Sequence, residues 1–229
     1  MKRVLFIEPV VAHYRRDTFR LILANGIISC AILAGNEYEG VKPATLENSI
    51  IGDYLTIRFF NHRFYYLRNA LKKARSYKPD AIVCSGIDFH HLHTIAIYIW
   101  AKFCGVKFFW WSHATMGNQG KLGFMIRKFF YKNSDGILAY SQAGRWRMLK
   151  VGIPAEKLVV VGNSLNSEDY GFKIDHKPTP TFTILYSGRI TPSKKLHVLV
   201  HAMAMVVAKN RNIQCKLVGG GDIKSIENL

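Results

Sequence analysis

Short runs of β-branched and aromatic residues alternate with longer stretches of helical period along this chain, and that alternation leaves few folds open. The runs Val4–Ile7, Ile28–Leu33, Leu55–Phe60, Ala81–Cys84, Lys107–Trp111, Gly136–Tyr140 and Leu158–Val161 read as strands. Between them, Arg15–Ala24, Phe64–Tyr77, His91–Phe103, Leu122–Lys132 and Ser141–Lys150 read as helices. Strand and helix taking turns is the pattern of stacked βαβ units, which predicts an α/β fold with a parallel sheet covered by helices. The punctuation agrees. Pro79 stops one helix, and Gly105 fits a helix C-cap because it tolerates positive φ.

The pattern breaks at Asn163–Thr181, which is polar, lacks hydrophobic period and carries Pro178 and Pro180. It reads as a linker. The expected organisation is a first domain over residues 1–165, a linker over 166–181 and a second α/β domain over 182–229. In the second domain a strand Phe182–Ser187, a turn, a helix Lys194–Lys209, a strand Gln214–Val218 and a glycine run Gly219–Gly221 follow in order. Two strands leave a sheet edge and apolar surface uncovered. The expectation is therefore that the 229 residues belong to a longer chain and that they have little or no activity by themselves.

Composition sets the class of partner. Apolar residues make up 49% and charged residues 21%, which fits a globular chain. The formal charge is +17 and unevenly placed: between Tyr54 and Ser134 thirteen Lys and Arg stand against Asp80 and Asp88 alone. Such a region attracts phosphates, acidic headgroups or nucleic acid. Cys30, Cys84, Cys104 and Cys215 form no C-x-x-C pair and sit in apolar runs, so all four read as buried free thiols in a reducing compartment. The first strand reaches Glu8 and Pro9 too soon for a signal peptide, and no run approaches the roughly 18 apolar residues of a membrane span. The expected location is cytoplasmic, with at most peripheral membrane contact.

The segment Ile184–Leu199 concentrates the chemistry. A strand ends at Gly188 and Arg189, and a helix is predicted to begin at Lys194, so that helix N–H groups and two cations could meet a phosphate outside the carboxyl end of the strand. Gly188-Arg189, Pro192, Lys194, the apolar helix with Ala202, and Leu217-Val218-Gly219-Gly220-Gly221 together resemble the start of the C-terminal domain in family 4 retaining glycosyltransferases, which have two Rossmann-like domains in the GT-B arrangement. The resemblance covers the whole chain in pattern and the last forty-odd residues in motif. It implies that Arg189 and Lys194 bind the diphosphate of a nucleotide-sugar and stabilise it as it leaves, with Gly188, Gly220 and Gly221 against the donor. Preorganised cations lower the barrier to such a departure. No Asp-x-Asp occurs in the chain, so the expected transfer is metal-independent and needs no cofactor.

In the first domain, Trp110-Trp111-Ser112-His113-Ala114 ends a buried strand, and the resemblance implies an active-site role for His113 near the transferred sugar. Where many relatives carry a glycine pair, this chain has Pro9 and then His13, Tyr14 and Arg15, which the resemblance places on the acceptor side. His90, His91 and His93 lack the i, i+4 spacing and the completing ligands of a metal site, so no metal is expected there. Phe64, Leu67, Leu71 and Ala74 form one helical stripe amid Lys and Arg, and Lys121–Lys132 repeats the mixture. Two basic amphipathic helices favour docking on an anionic membrane surface over a plain core-facing stripe.

The resulting expectation is a glycosyltransferase that moves a sugar from a nucleotide-sugar donor to a saccharide or lipid-linked acceptor in cell-surface polysaccharide synthesis. Two alternatives stay open: a non-catalytic sugar-nucleotide binder or epimerase on the same plan, and a basic nucleic-acid-binding protein. The last has only charge in its favour, since no recognition motif accompanies it, and nucleic acid is not expected as a partner.

Overall fold

A computed structural model describes residues 1–38, 41, 43–60, 62–114, 120–164, 166 and 180–227. The chain divides into two compact units, Met1–Gly171 and Phe172–Leu229. The linker expected over 166–181 lies outside the described residues except for Asn166, Pro180 and Thr181.

Unit 1 is built on a seven-stranded parallel sheet. Its strands are β1 (Lys2–Val10), β2 (Ile28–Gly35), β3 (Ser49–Gly52), β6 (Ala81–Ser85), β7 (Lys107–Ser112), β8 (Gly136–Ala139) and β9 (Leu158–Val160), in the order β3-β2-β1-β6-β7-β8-β9. A strand in the middle of such a sheet is covered on both faces, so it reads as a continuous apolar run rather than an alternating one. Leu5, Phe6 and Ile7 of β1 are accordingly all buried. Leu5, Ile7 and Leu33 point to one face, and Phe6, Ile32 and Ala34 to the other.

The helices are α1 (Arg16–Ala24), α2 (Ala70–Tyr77), α3 (Leu92–Phe103), α4 (Gly120–Asn133) and α5 (Gln142–Lys150). The first face packs Ala70 and Ala74 of α2, Ile97 and Ala101 of α3, Tyr131 of α4 and Met148 of α5. The second face packs Phe19 of α1 against Phe6 and Trp111. Helix α3 ends as expected: Gly105 has φ +69° and the Val106 N–H donates to the Ala101 carbonyl at 2.9 Å, closing a Schellman turn. Ser141 caps α5 by accepting the Gly144 N–H at 3.1 Å.

The helix predicted over Phe64–Tyr77 is corrected. Residues 62–67 form a strand, β5 (His62–Leu67), paired antiparallel with β4 (Tyr54–Phe59), and only Ala70–Tyr77 is helical. Phe64, Leu67 and Leu71 have helix-like spacing, but Phe64, Tyr65 and Tyr66 are strong strand formers. The Tyr65 N–H donates to the His90 carbonyl at 2.7 Å and the Leu67 N–H to His93 Nδ1 at 3.3 Å, so tertiary bonds hold the extended form. Asn69, in the left-handed region at φ +56°, then turns the chain into α2. The strand β3 was not anticipated, being a four-residue edge strand without a marked apolar run. The thiols also need correction: Cys30 and Cys84 are buried, Cys104 is exposed and Cys215 intermediate, and all four are free.

Unit 2 holds β10 (Phe182–Ser187), a 3-10 turn over Pro192–Lys194, α6 (Leu196–Val207), β11 (Ile213–Val218) and a short α7 (Lys224–Glu227), with β10 and β11 parallel. Helix α6 starts two residues later than expected, because Lys195 adopts φ +51° and separates it from the 3-10 turn.

Candidate functional site

Ligands of open parallel sheets bind beyond the carboxyl ends of the strands, above all where the strand order reverses. In unit 1 that point lies between β1, which is followed in space by β2, and β6, which is followed by β7. Glu8 of β1 and Ser85 of β6 stand there. Glu8 is 3% exposed, and both of its carboxylate oxygens accept from Arg15 Nη1, at 2.9 and 2.8 Å. Burial pushes the Glu8 carboxyl up, against the pull of the Arg15 cation and the Ser85 hydroxyl. The Arg15 guanidinium lies 4.1 Å from the centre of a Trp111 ring. Arg15 Nη2 and Trp111 Nε1 are buried donors without a hydrogen-bond partner among the described residues. A buried donor left unmatched is costly. Arg15 thus lies at the strand ends, but buried and tied into an ion pair. His13 and Tyr14, exposed neighbours in a 3-10 turn, have ring centres 5.3 Å apart.

His113 follows β7 and is exposed, its ring 4.7 Å from that of Tyr140. Its loop is tightly held. Ala114 is fully buried at φ +50° and its N–H donates to Ser112 Oγ at 3.0 Å, while Ser112 Oγ lies 3.2 Å from the Tyr131 hydroxyl. A Cβ on Gly144 would stand 2.8 Å from the His113 carbonyl oxygen, so the glycine is what lets α5 abut this loop. Residues 115–119, next along the chain, lie outside the described residues.

The β4–β5 hairpin, tied to Pro9 by the Tyr54 hydroxyl and to His90 by the Tyr65 N–H, borders a groove of about 1330 Å³. The hairpin is pinned at its base. His93 accepts the Leu67 N–H and is pushed down to about 4 chiefly by burial and next by His91. His91 is buried among the rings of Tyr38, Tyr54, Tyr65 and His93, and burial lowers its pKa against the pull of Asp88. His90 Nδ1 lies 2.9 Å from Asp88 Oδ1. The three histidines therefore serve the hairpin and its loop. No cluster of three or more His, Cys, Asp or Glu side chains able to hold a metal occurs among the described residues.

In unit 2 the carboxyl ends of β10 and β11 are joined backbone to backbone. The Gly188 N–H donates to the Val218 carbonyl, the Ile190 N–H to Gly220 and the Asp222 N–H to Ile190, at 2.9 to 3.0 Å. A Cβ would meet the Gly188 oxygen at 1.9 Å if placed on Gly219, and the Ile190 oxygen at 2.1 Å if placed on Gly221. Gly221 thus has a packing role of its own, whereas nothing lies within 4 Å of a Cβ on Gly220. Gly188 has φ +155°, and Tyr186 Oη donates to the Arg189 carbonyl at 2.9 Å. Arg189 and Lys194 are both exposed on this rim.

Residues 28–169 match the family described as Glycosyltransferase Family 4. The chain belongs to that family. Among curated proteins no sequence matches it significantly. Solved structures similar to this family 4 chain include Alr3699/HepE of Anabaena in complex with UDP-glucose, with a TM-score of 0.63 and 13% identity over 100% of this chain and 64% of that one. MnaA of S. aureus in a co-structure with UDP has a TM-score of 0.61 and 13% identity over 95% of this chain and 62% of that one. The UDP-GlcNAc 2-epimerase of Methanocaldococcus jannaschii has a TM-score of 0.54 and 14% identity over 96% and 74%. The chain thus spans about three fifths of the length of HepE and MnaA. At these identities the likeness establishes a Rossmann-like GT-B fold.

Sequence reasoning on the family 4 chain placed His113 and the Gly188–Gly221 loops at strand ends, where they are found. It missed Glu8, Ser85 and Tyr140. An acid closing an otherwise apolar first strand was the available signal for Glu8. The groove had none, because its wall was read as a helix.

Proposed function

We propose that this protein is a retaining glycosyltransferase that takes a sugar from a nucleotide-diphosphate donor and passes it to a saccharide or lipid-linked acceptor, in cell-surface polysaccharide synthesis on the cytoplasmic side. The observation that carries the reading is the family match over residues 28–169, joined to a unit 2 rim that offers Arg189 and Lys194 beside glycine-lined strand ends. In the proposed step the bond between the anomeric carbon and the phosphate oxygen breaks, negative charge grows on the departing diphosphate, and the two cations stabilise it. The acceptor hydroxyl oxygen bonds to the anomeric carbon, and its proton passes to the departing diphosphate oxygen, which has gained the electron pair of the broken bond. His113 faces the transferred sugar in this scheme, and His13, Tyr14 and Arg15 the acceptor. No metal or cofactor is required.

Binding is the first readout. UDP and UDP-sugars titrated into the chain are expected to bind in the presence of a chelator, and Arg189→Ala or Lys194→Ala is expected to weaken binding about tenfold or more, the worth of one charge-assisted hydrogen bond. Unchanged affinity in both variants would remove the diphosphate assignment. A second reading, a UDP-sugar epimerase, is favoured by the epimerase among the similar structures. Incubation with UDP-GlcNAc separates the two, since an epimerase yields the 2-epimer without any acceptor.

A peripheral membrane contact is part of the proposal. On α4, Leu122, Met125 and Phe129 are 70%, 66% and 60% exposed at i, i+3, i+7 spacing, with Lys121 and Lys132 exposed nearby. The second basic helix expected for this role is reduced to Ala70–Tyr77, so α4 is the main support.

A further inference from the structure

The β4–β5 hairpin has two dissimilar faces. Its register pairs Tyr54 with Leu67, Thr56 with Tyr65 and Arg58 with Arg63, and this face turns into the groove. Burial falls off along it, from fully buried Leu67 through half-buried Tyr54 and Tyr65 to the exposed arginines near the tip. Like charges directly opposite one another on a hairpin repel. Among the described residues neither Arg58 nor Arg63 has an ion-pair or hydrogen-bond partner to offset that. Two cations held side by side over a groove are arranged for an anion that accepts from both.

The rest of the groove has a different chemistry. Tyr38, Tyr54 and Tyr65 supply rings, fixed by the Tyr54 hydroxyl donating to the Pro9 carbonyl at 2.8 Å and by the Tyr65 N–H bonded to His90. Two of its three acids are occupied: Asp53 accepts from Asn36 Nδ2 at 2.8 Å, and Asp88 accepts the His90 N–H and lies against its ring. Glu37 is the third. Aromatic faces with planar polar groups around them suit a sugar ring, which presents apolar C–H patches and hydroxyls together. The groove is thus polar and aromatic towards the buried end of the hairpin and carries the arginine pair near the tip.

We propose that this groove is a saccharide site that recognises an acidic substituent, carboxylate or phosphate, through Arg58 and Arg63. The assignment rests on the transferase reading in that the bound saccharide would be the acceptor or its extension. It names a site apart from His13, Tyr14 and Arg15.

Three probes titrated into the full 229-residue chain test it: a glucuronate-bearing hyaluronan tetrasaccharide, maltotetraose 1-phosphate and neutral maltotetraose. At least one charged probe is expected to bind about tenfold or more tightly than the neutral one, and which of the two does so identifies the anion. Arg58→Gln/Arg63→Gln should abolish that preference. Both side chains are exposed, so the variant should fold, and its melting temperature checks this. Equal binding of all three probes, no binding of either charged probe, or a preference that survives in the double variant would overturn the proposal. So would arginines needed only for binding to anionic vesicles. UDP titrated into the wild-type chain reports on the donor side separately: if UDP fails to bind, the transferase reading is at fault, and if UDP binds while the charged probes do not, only the groove assignment fails.

Discussion

His93 shows how a single side chain ties helix to hairpin. Its Nδ1 accepts from Leu67, which requires the neutral ring, and burial lowers its pKa to about 4. The unfolded chain takes up that proton near pH 6.5 while the folded chain refuses it until lower pH. The stability due to neutral His93 is therefore present above pH 6.5 and is lost as pH falls from 6.5 through 4. A shift of this size corresponds to about 3 kcal/mol. Urea unfolding at pH 7.5 and 4.5 is expected to show a larger acid loss in the wild type than in His93→Gln; equal losses would contradict the assignment. Glu8 is the counterpart at the carboxyl end of the sheet, an acid whose burial raises its pKa against the pull of the Arg15 cation beside it. Such a pair is costly to desolvate and favoured only by good geometry; here both carboxylate oxygens accept from one nitrogen, Arg15 Nη1, and Nη2 is left unmatched among the described residues.

At the level of elements, the junction of β7 with α5 is closely fitted: a Cβ on Gly144 would stand 2.8 Å from the His113 carbonyl oxygen. Gly144→Ala would drive a methyl group into the His113 carbonyl, a backbone atom that can yield only if the loop moves. Overpacking of this kind costs about 1–3 kcal/mol. The variant should unfold at lower urea and shift the His113 imidazole resonances; resonances and midpoint both unchanged would mean that the loop is not held by this contact. The parallel strands were legible in the sequence because burial on both faces leaves unbroken apolar runs, as in Leu5-Phe6-Ile7. The hairpin was not. Its residues Phe64 to Leu71 satisfy helical spacing, and what decides against the helix is a pair of bonds to His90 and His93, more than twenty residues away. His113 was legible as the end of a buried strand. The groove residues Arg58 and Arg63 could not be paired until their register was known, and Glu8 was passed over because an acid in a first strand was read only as the end of an apolar run.

For the molecule as a whole, the excess of basic residues gives a charge of +17, and the described residues contain no helix long and apolar enough to cross a membrane. In the proposed membrane contact, basic charge would draw the chain to an anionic surface over a distance set by salt, and the exposed side chains of α4 would supply the short-range contact. Co-sedimentation with vesicles rich in phosphatidylglycerol is expected at low salt, to decline at high salt, and to weaken further in Leu122→Glu/Phe129→Glu. Equal binding to neutral phosphatidylcholine vesicles would end the membrane proposal.

The interlocked ends of β10 and β11 carry one further consequence. Gly219 and Gly221 let two loops share a run of hydrogen bonds that neither could make alone, so Gly188, Ile190 and Gly220 have little freedom left to lose. A donor bound on that rim as proposed would meet a surface whose shape is already set, and less of its binding free energy would go into ordering the protein.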